Sequence, residues 1–212
     1  METTRTHDRM VAQSSALSKQ AVKDMISPEE VAGTLEDAGV DFVLAGAHAI
    51  GPWTRRPRAT VDVDVVIAAP DHVKAVEAIR RAYPNLIERD LPVVTRFAMP
   101  DTGDVVIDLM RGTEPLMRAV FGNTTTVEIG GRKVRIPDLE MAAAMKFAAM
   151  VGIYRKRADK AQDGADFMRI IDANPNLDTT KLGTLADLVY AGGSVEVCRL
   201  VEAIRKGEPL VF

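Results

Sequence analysis

Three aspartates stand where they can do chemistry together. In the stretch RATVDVDVVIAAP, Arg58 to Pro70, Asp62 and Asp64 interrupt a run of valines. Side chains alternate along a strand, so Val61, Val63, Val65 and Ile67 share one face. Asp62 and Asp64 share the other, roughly 6.5–7 Å apart along the chain. DVVIDLM, Asp104 to Met110, has the same construction: Val105, Ile107 and Leu109 on one face, Asp104, Val106, Asp108 and Met110 on the other. If the two strands are neighbours, Asp108 comes to lie beside Asp62 and Asp64. Carboxylates that close repel one another and raise their own pKa values. A hard divalent cation removes the conflict, because magnesium takes oxygen ligands and keeps part of its shell for waters and substrate phosphates. The spacing makes Asp62, Asp64 and Asp108 candidate ligands of magnesium, with manganese as the other ion, anchoring a phosphate substrate. An Asp-x-Asp strand face also arises by chance, so the preceding sequence matters.

That sequence is VLAGAHAIGPWTRRPRATVDVDVVI. A short apolar strand runs into Gly46-Ala47, then a turn or short helix, then a basic loop with Arg55, Arg56 and Arg58 around Pro57. A strand-to-helix turn at glycine lets backbone N–H groups face a phosphate, and the helix N-terminus adds partial positive charge.

With these parts in place the chain resembles the nucleotidyltransferase superfamily that includes DNA polymerase beta. The matching residues are Gly46, Asp62, Val63, Asp64 and Asp108. Within it the chain is most similar to the AbiEii/MenT-like group of bacterial toxin–antitoxin and phage-defence proteins. That likeness rests on Arg-x-Thr-Val-Asp-Val-Asp at Arg58 to Asp64, and on the tail segments IPDLEMAAAMKFAAM and RKRADKAQDGADF. It spans roughly Asp41 to Phe167. It implies catalytic roles for Asp62, Asp64, Asp108, Lys146 and Asp163. It also implies nucleotide contacts from Gly46, Ala47, Arg56, Arg58, Lys146, Lys160 and Asp166. The substrate implied is a nucleoside triphosphate, and the acceptor RNA, notably tRNA, with a cognate antitoxin as a partner protein. Transfer to a protein or a small molecule, and a non-catalytic binding module, are the alternatives. Ala47 departs from the group, which often has Gly or Ser there, so a hydroxyl contact to triphosphate is missing.

Other charged residues have two readings each. The Arg55–Arg58 run can bind triphosphate or RNA backbone, or be a solvated loop. Lys146 lies in AAAMKFAAM. Such a lysine needs an anionic partner, a phosphate or an Asp, unless its stem snorkels to water. Arg155, Lys156, Arg157 and Lys160 can track a polynucleotide or simply decorate a helix end. Asp163 and Asp166 share a helical face and can pair locally with Lys160. His48 is read as structural, Trp53 as core or a base-stacking ring, and Met141, Met145 and Met150 as core filler.

The elements that must position these groups follow from periodicity and punctuation. Ser27-Pro28-Glu29-Glu30 starts a helix with a capping box, ending near Gly39. FVLAG and VDVDVVIA are strands. Val73, Val76, Ile79 and Ala82 set the apolar stripe of a helix over 71–83. VTRFAM and DVVIDLM are strands joined by a turn at Pro100–Gly103, a short helix lies around Glu114 to Val120, and TTVEIGGRKVRI is a hairpin turning at Gly130-Gly131. After Pro137 only helices are expected, over 138–152, 159–173, 179–190 and 194–206. The fold class is α+β: a polar arm (1–26), a nucleotidyltransferase-like mixed sheet flanked by helices (27–136), and a helical C-terminal bundle (137–212).

Bulk composition narrows the function classes. Acids exceed bases by 30 to 27, a net charge of −3, which gives no global attraction to nucleic acid. The one cysteine, Cys198, excludes a disulfide framework. The first 26 residues lack a signal-peptide core, and no apolar run is long enough for a membrane span, so a cytoplasmic protein is expected.

Overall fold

The computed structural model describes residues 26–55, 60, 62–153 and 155–208. Helix α1 (Pro28–Asp37) begins as its sequence requires. Ser27 Oγ accepts from the Glu30 N–H while the Glu30 carboxylate accepts from the Ser27 N–H, and Pro28 occupies the first turn. Strand β1 (Phe42–Leu44) leads into helix α2 (Gly46–Thr54), and β2 (Val63–Ala68) into helix α3 (His72–Ala82). Strands β3 (Ile87–Asp90), β4 (Val94–Ala98) and β5 (Val105–Gly112) follow, then the short helix α4 (Pro115–Ala119).

The five strands form one mixed sheet in the order β1-β2-β5-β4-β3. β2 and β5 run parallel at its centre, and their other neighbours are antiparallel. Parallel neighbours need a crossover, supplied by α3 and the β3–β4 hairpin. The register sets Asp64 directly beside Asp108. On one face Val63, Val65 and Ile67 pack with Val31 and Leu35 of α1 and Ala75 and Ile79 of α3. Asp64 and Val66 point the other way, and Val66 joins the core of the C-terminal helices. A separate hairpin of β6 (Thr124–Ile129) and β7 (Arg132–Pro137) turns on Gly130 and Gly131, both at positive φ as a two-residue hairpin loop demands.

Helices α5 (Leu139–Val151), α6 (Arg157–Ala173), α7 (Thr179–Ala186) and α8 (Gly193–Arg205) complete the chain. Their core, around Phe147, Phe167, Leu182 and Leu200, is continuous with Val43, Ala45, Ile50 and Val66 of the sheet half. The bundle therefore covers the sheet face that carries Asp64. The described helices include none long and apolar enough to cross a membrane.

Two elements differ from the sequence expectation. The edge strand β3 reads IERD, with too few apolar residues to set a period, and three of its four residues are exposed. Helix α3 buries His72, Ala75, Ala78 and Ile79, whereas Val73 is 69% exposed. Its buried stripe is carried by alanines, so the larger valine misled the phase.

Candidate active site

The acidic group is assembled by the sheet. Asp64 on β2 and Asp108 on β5 are register partners of a parallel pair, so both project from the same face. Asp62 precedes β2 and is hydrogen-bonded by Thr60 Oγ1. Asp64 and Asp108 respond to this crowding. Burial, then Asp62, then Asp108 push the Asp64 carboxyl up to about 7, against a partial offset from Lys146 and Arg155. Asp108 is also raised, mainly by burial with Asp62 adding to it, while Arg96 pulls the other way.

The start of α2 presses against this group. Gly46 has φ +62, in the left-handed region, and a Cβ there would stand 1.8 Å from Asp64 Oδ2. Only glycine satisfies both conditions. Ala45, the N-cap, makes no side-chain cap, while its N–H donates to the Asp64 carbonyl at 2.8 Å. The first turn of α2 therefore opens beside the Asp64 carboxylate without a capping side chain from its N-cap. The Ala47 side chain is buried, so this residue can offer a ligand only its backbone. At its far end α2 leaves through Arg55 at φ 53. Arg56 and Arg58, the basic residues expected to meet a nucleotide, lie outside the described residues.

A second charged cluster stands opposite. Lys146, the one basic residue on α5, is 11% exposed, with Nζ 3.0 Å from both Asp163 Oδ1 and Asp166 Oδ2. Arg155 Nε also bonds Asp163, and Arg169 and Gln162 bond Asp166. The anion that Lys146 required is thus a pair of aspartates on α6. Asp163 and Asp166 take Lys146 as partner, 17 and 20 residues back in the chain, where local pairing with Lys160 was expected.

One cavity of about 600 Å³ connects the two clusters, within the range of small-molecule sites. Gly46, Asp64, Asp108, Lys146, Arg155 and Asp163 line its polar end. Met110, Leu116, Met117, Met145 and Val189 line an apolar end. Among the described residues, Ala47, Asp62, Lys160 and Asp166 do not line it: Asp166 lies behind Lys146 at 1% exposure. Trp53 is also taken up by structure, donating from Nε1 to the Pro137 carbonyl at 3.1 Å and packing in the core.

Arg96 is a lining residue beside the acids that sequence reasoning missed. It sits on β4 directly beside Asp108, with Nε 3.3 Å from Asp108 Oδ1. Its strand was legible in VTRFAM, but only the cross-strand register brings it to the acids.

The donors suit a hard cation: carboxylate oxygens, two with raised proton affinity, and a buried Asp108 Oδ1 with no hydrogen-bond partner among the described residues. Among the described residues, no three acidic, histidine or cysteine side chains are already drawn around one point that could hold an ion. Asp62 is turned to Thr60 and Asp108 to Arg96.

No protein-family model matches the chain, and no curated protein matches it in sequence. Solved structures do match. The antibiotic-resistance factor ANT(2'')-Ia in solution is similar with a TM-score of 0.53 at 14% identity, over 90% of this chain and 99% of that one. The crystal structure of ANT(2'')-Ia in complex with adenylyl-2''-tobramycin gives 0.51 at 15% identity, over 88% and 98% of the two chains. An antigenic nucleotidyltransferase-like protein from Paracoccidioides brasiliensis gives 0.49 at 20% identity, over 85% and 92%. The chain shares the fold of ANT(2'')-Ia, and in this chain that α+β fold is a five-stranded mixed sheet flanked by helices, followed by a helical bundle.

Proposed function

We propose that this chain is a magnesium- or manganese-dependent nucleotidyltransferase that moves a nucleoside monophosphate from a nucleoside triphosphate to an acceptor hydroxyl. The observation that supports it best is the meeting of Asp64 and Asp108, abreast at the glycine start of α2, with Lys146 across one cavity. Asp62, Asp64 and Asp108 would hold the metal, which neutralises charge on the attacking and leaving oxygens when bound.

The chain's own residues account for the rest. The acceptor oxygen attacks the α-phosphorus, the bond from that phosphorus to its bridging oxygen breaks, and pyrophosphate leaves. The hydroxyl proton passes to Asp108, whose burial makes it a stronger base than an exposed carboxylate. First-turn amides of α2, from Gly46 and Ala47, take the outer phosphates. An ammonium has three donors; Lys146 donates to Asp163 and is ion-paired with Asp166, which leaves donor capacity for a phosphate oxygen. Asp163 and Asp166 are in this reading the residues that aim Lys146.

The acceptor proposed first is RNA, with tRNA ends as the leading case. The exposed Arg155, Lys156 and Arg157 lie where α6 begins, and Arg155 reaches the cavity. By resemblance the chain would serve as the transferase of a toxin–antitoxin or phage-defence pair, with an antitoxin as its protein partner. A small-molecule acceptor is the second reading, favoured by the apolar end of the cavity. The deciding experiment supplies magnesium and each labelled nucleoside triphosphate with total tRNA, with cell protein, or with an aminoglycoside panel. Label on tRNA is expected. Label on an aminoglycoside alone selects the second reading. Label that persists in the Asp62→Asn, Asp64→Asn variant overturns the assignment of the acids.

A further inference from the structure

Asp64, Asp108 and Arg96 form a row across β2, β5 and β4, each the register partner of the next. Two acids and one guanidinium are thus fixed side by side on one sheet face. The cations across the cavity are committed elsewhere: Lys146 to Asp163 and Asp166, Arg155 to Asp163. Among the described residues, the ion pair made to the acids of β2 and β5 is that of Arg96 with Asp108.

That pair has unusual geometry. Arg96 Nε and Asp108 Oδ1 are 3.3 Å apart, both atoms are shielded from water, and neither has a hydrogen-bond partner among the described residues. The charges touch, but the N–H is not aimed at the oxygen. Buried polar groups normally find a well-directed partner, so this oxygen keeps an unfilled position. The Arg96 side chain is 41% exposed against 15% for Asp108, so the guanidinium can swing into the cavity while the carboxylate stays.

We propose that Arg96 holds the place of a divalent cation at Asp108, gives way when the ion arrives, and then takes a phosphate oxygen of the nucleotide. The inference rests on the metal-dependent reading above. It assigns Arg96 two successive anionic partners, Asp108 and then the phosphate. Arginine suits the second task, since its planar fork matches phosphate and its charge is permanent. No bond is made or broken in the exchange.

The test is binding, without turnover. Free Mn2+ is counted by electron paramagnetic resonance during titration of wild type, Arg96→Met and Arg96→Gln, each checked for an unchanged circular-dichroism spectrum. Removing a competing positive charge is expected to tighten Mn2+ binding about tenfold in both variants. At saturating Mn2+, a non-hydrolysable triphosphate analogue is expected to bind about tenfold more weakly to them. In an Asp108→Asn background the Arg96 substitutions are expected to leave Mn2+ affinity unchanged, which a merely structural arginine would not predict. Wild-type Mn2+ binding that depends on Asp64 but is unaltered or weakened by both Arg96 substitutions overturns this inference and leaves the transferase reading intact. Absence of Mn2+ binding in wild type and variants alike overturns both.

Discussion

Two groups of aspartates beside the cavity differ in how their charge is met. Asp163 and Asp166 on α6 are 3% and 1% exposed, yet Lys146, Arg155 and Arg169 surround them. Asp64 and Asp108, on the central strands, have more access to solvent but fewer cations, and their proton affinity is raised. At Asp64 and Asp108 burial is the largest cause of the rise, and the cations within reach offset it only in part. A neutralised cluster belongs to the framework. An under-neutralised cluster that opens on a cavity is poised for a cation, and functional sites gather such perturbed groups.

This contrast can be broken most directly by exchanging effects between the clusters. Asp62→Asn with Asp64→Asn is expected to lower nucleotidyl transfer by about a thousandfold or more, as loss of a transition-state charge clamp does. The folded state is expected to survive, because these acids repel one another. Asp166→Ala is expected to do the reverse in a urea titration. It removes a buried partner of Lys146 and the partner of Arg169 and costs about 3–5 kcal/mol of stability, the range for removing one partner of a buried ion pair. Equal loss of stability in both variants would erase the distinction. A smaller effect tests the seam between helix and acid. Gly46→Ala forces a side chain into the left-handed region, about 1–2 kcal/mol, and drives a methyl group into the Asp64 carboxylate. Thermal unfolding reads the first cost, and a fall in transfer of about a hundredfold would read the displaced carboxylate.

How much of this arrangement could be read beforehand depended on the range of the interactions. The face shared by Asp62 and Asp64 follows from the two-residue period of a strand, which is local. The capping box at Ser27 and the Gly130-Gly131 hairpin are local too, and both formed. The alignment of Asp64 with Asp108 needed only the assumption that two apolar strands are neighbours. Lys146 was legible as a lysine lacking a partner, but its partners were not, because the packing of α5 on α6 is tertiary. Arg96 was invisible for the same reason: nothing within VTRFAM says which strand lies alongside. β3 escaped because a polar edge strand has no apolar period to display.

The subtlest consequence of the contrast lies in its dependence on pH. The folded Asp64 carboxyl titrates at about 7, against an ordinary value of 3.8. Between those values the folded chain keeps a proton that the unfolded chain has released. Stability from this group is therefore full below 3.8 and is lost as the pH rises through 7. Asp108 is shifted in the same direction, so the two acids act in concert. Asn at position 64 carries no such titration. The melting temperature of Asp64→Asn should thus gain on wild type as the pH is raised from 5 to 8, by about 2–4 °C for each kcal/mol in a chain of this size. Magnesium should shrink that gain at pH 8 by stabilising wild type alone, and do little at pH 5, where protons compete for the same oxygens. A difference between wild type and variant that is flat across pH would mean that Asp64 is as well neutralised as Asp163, and the two clusters would no longer differ in kind.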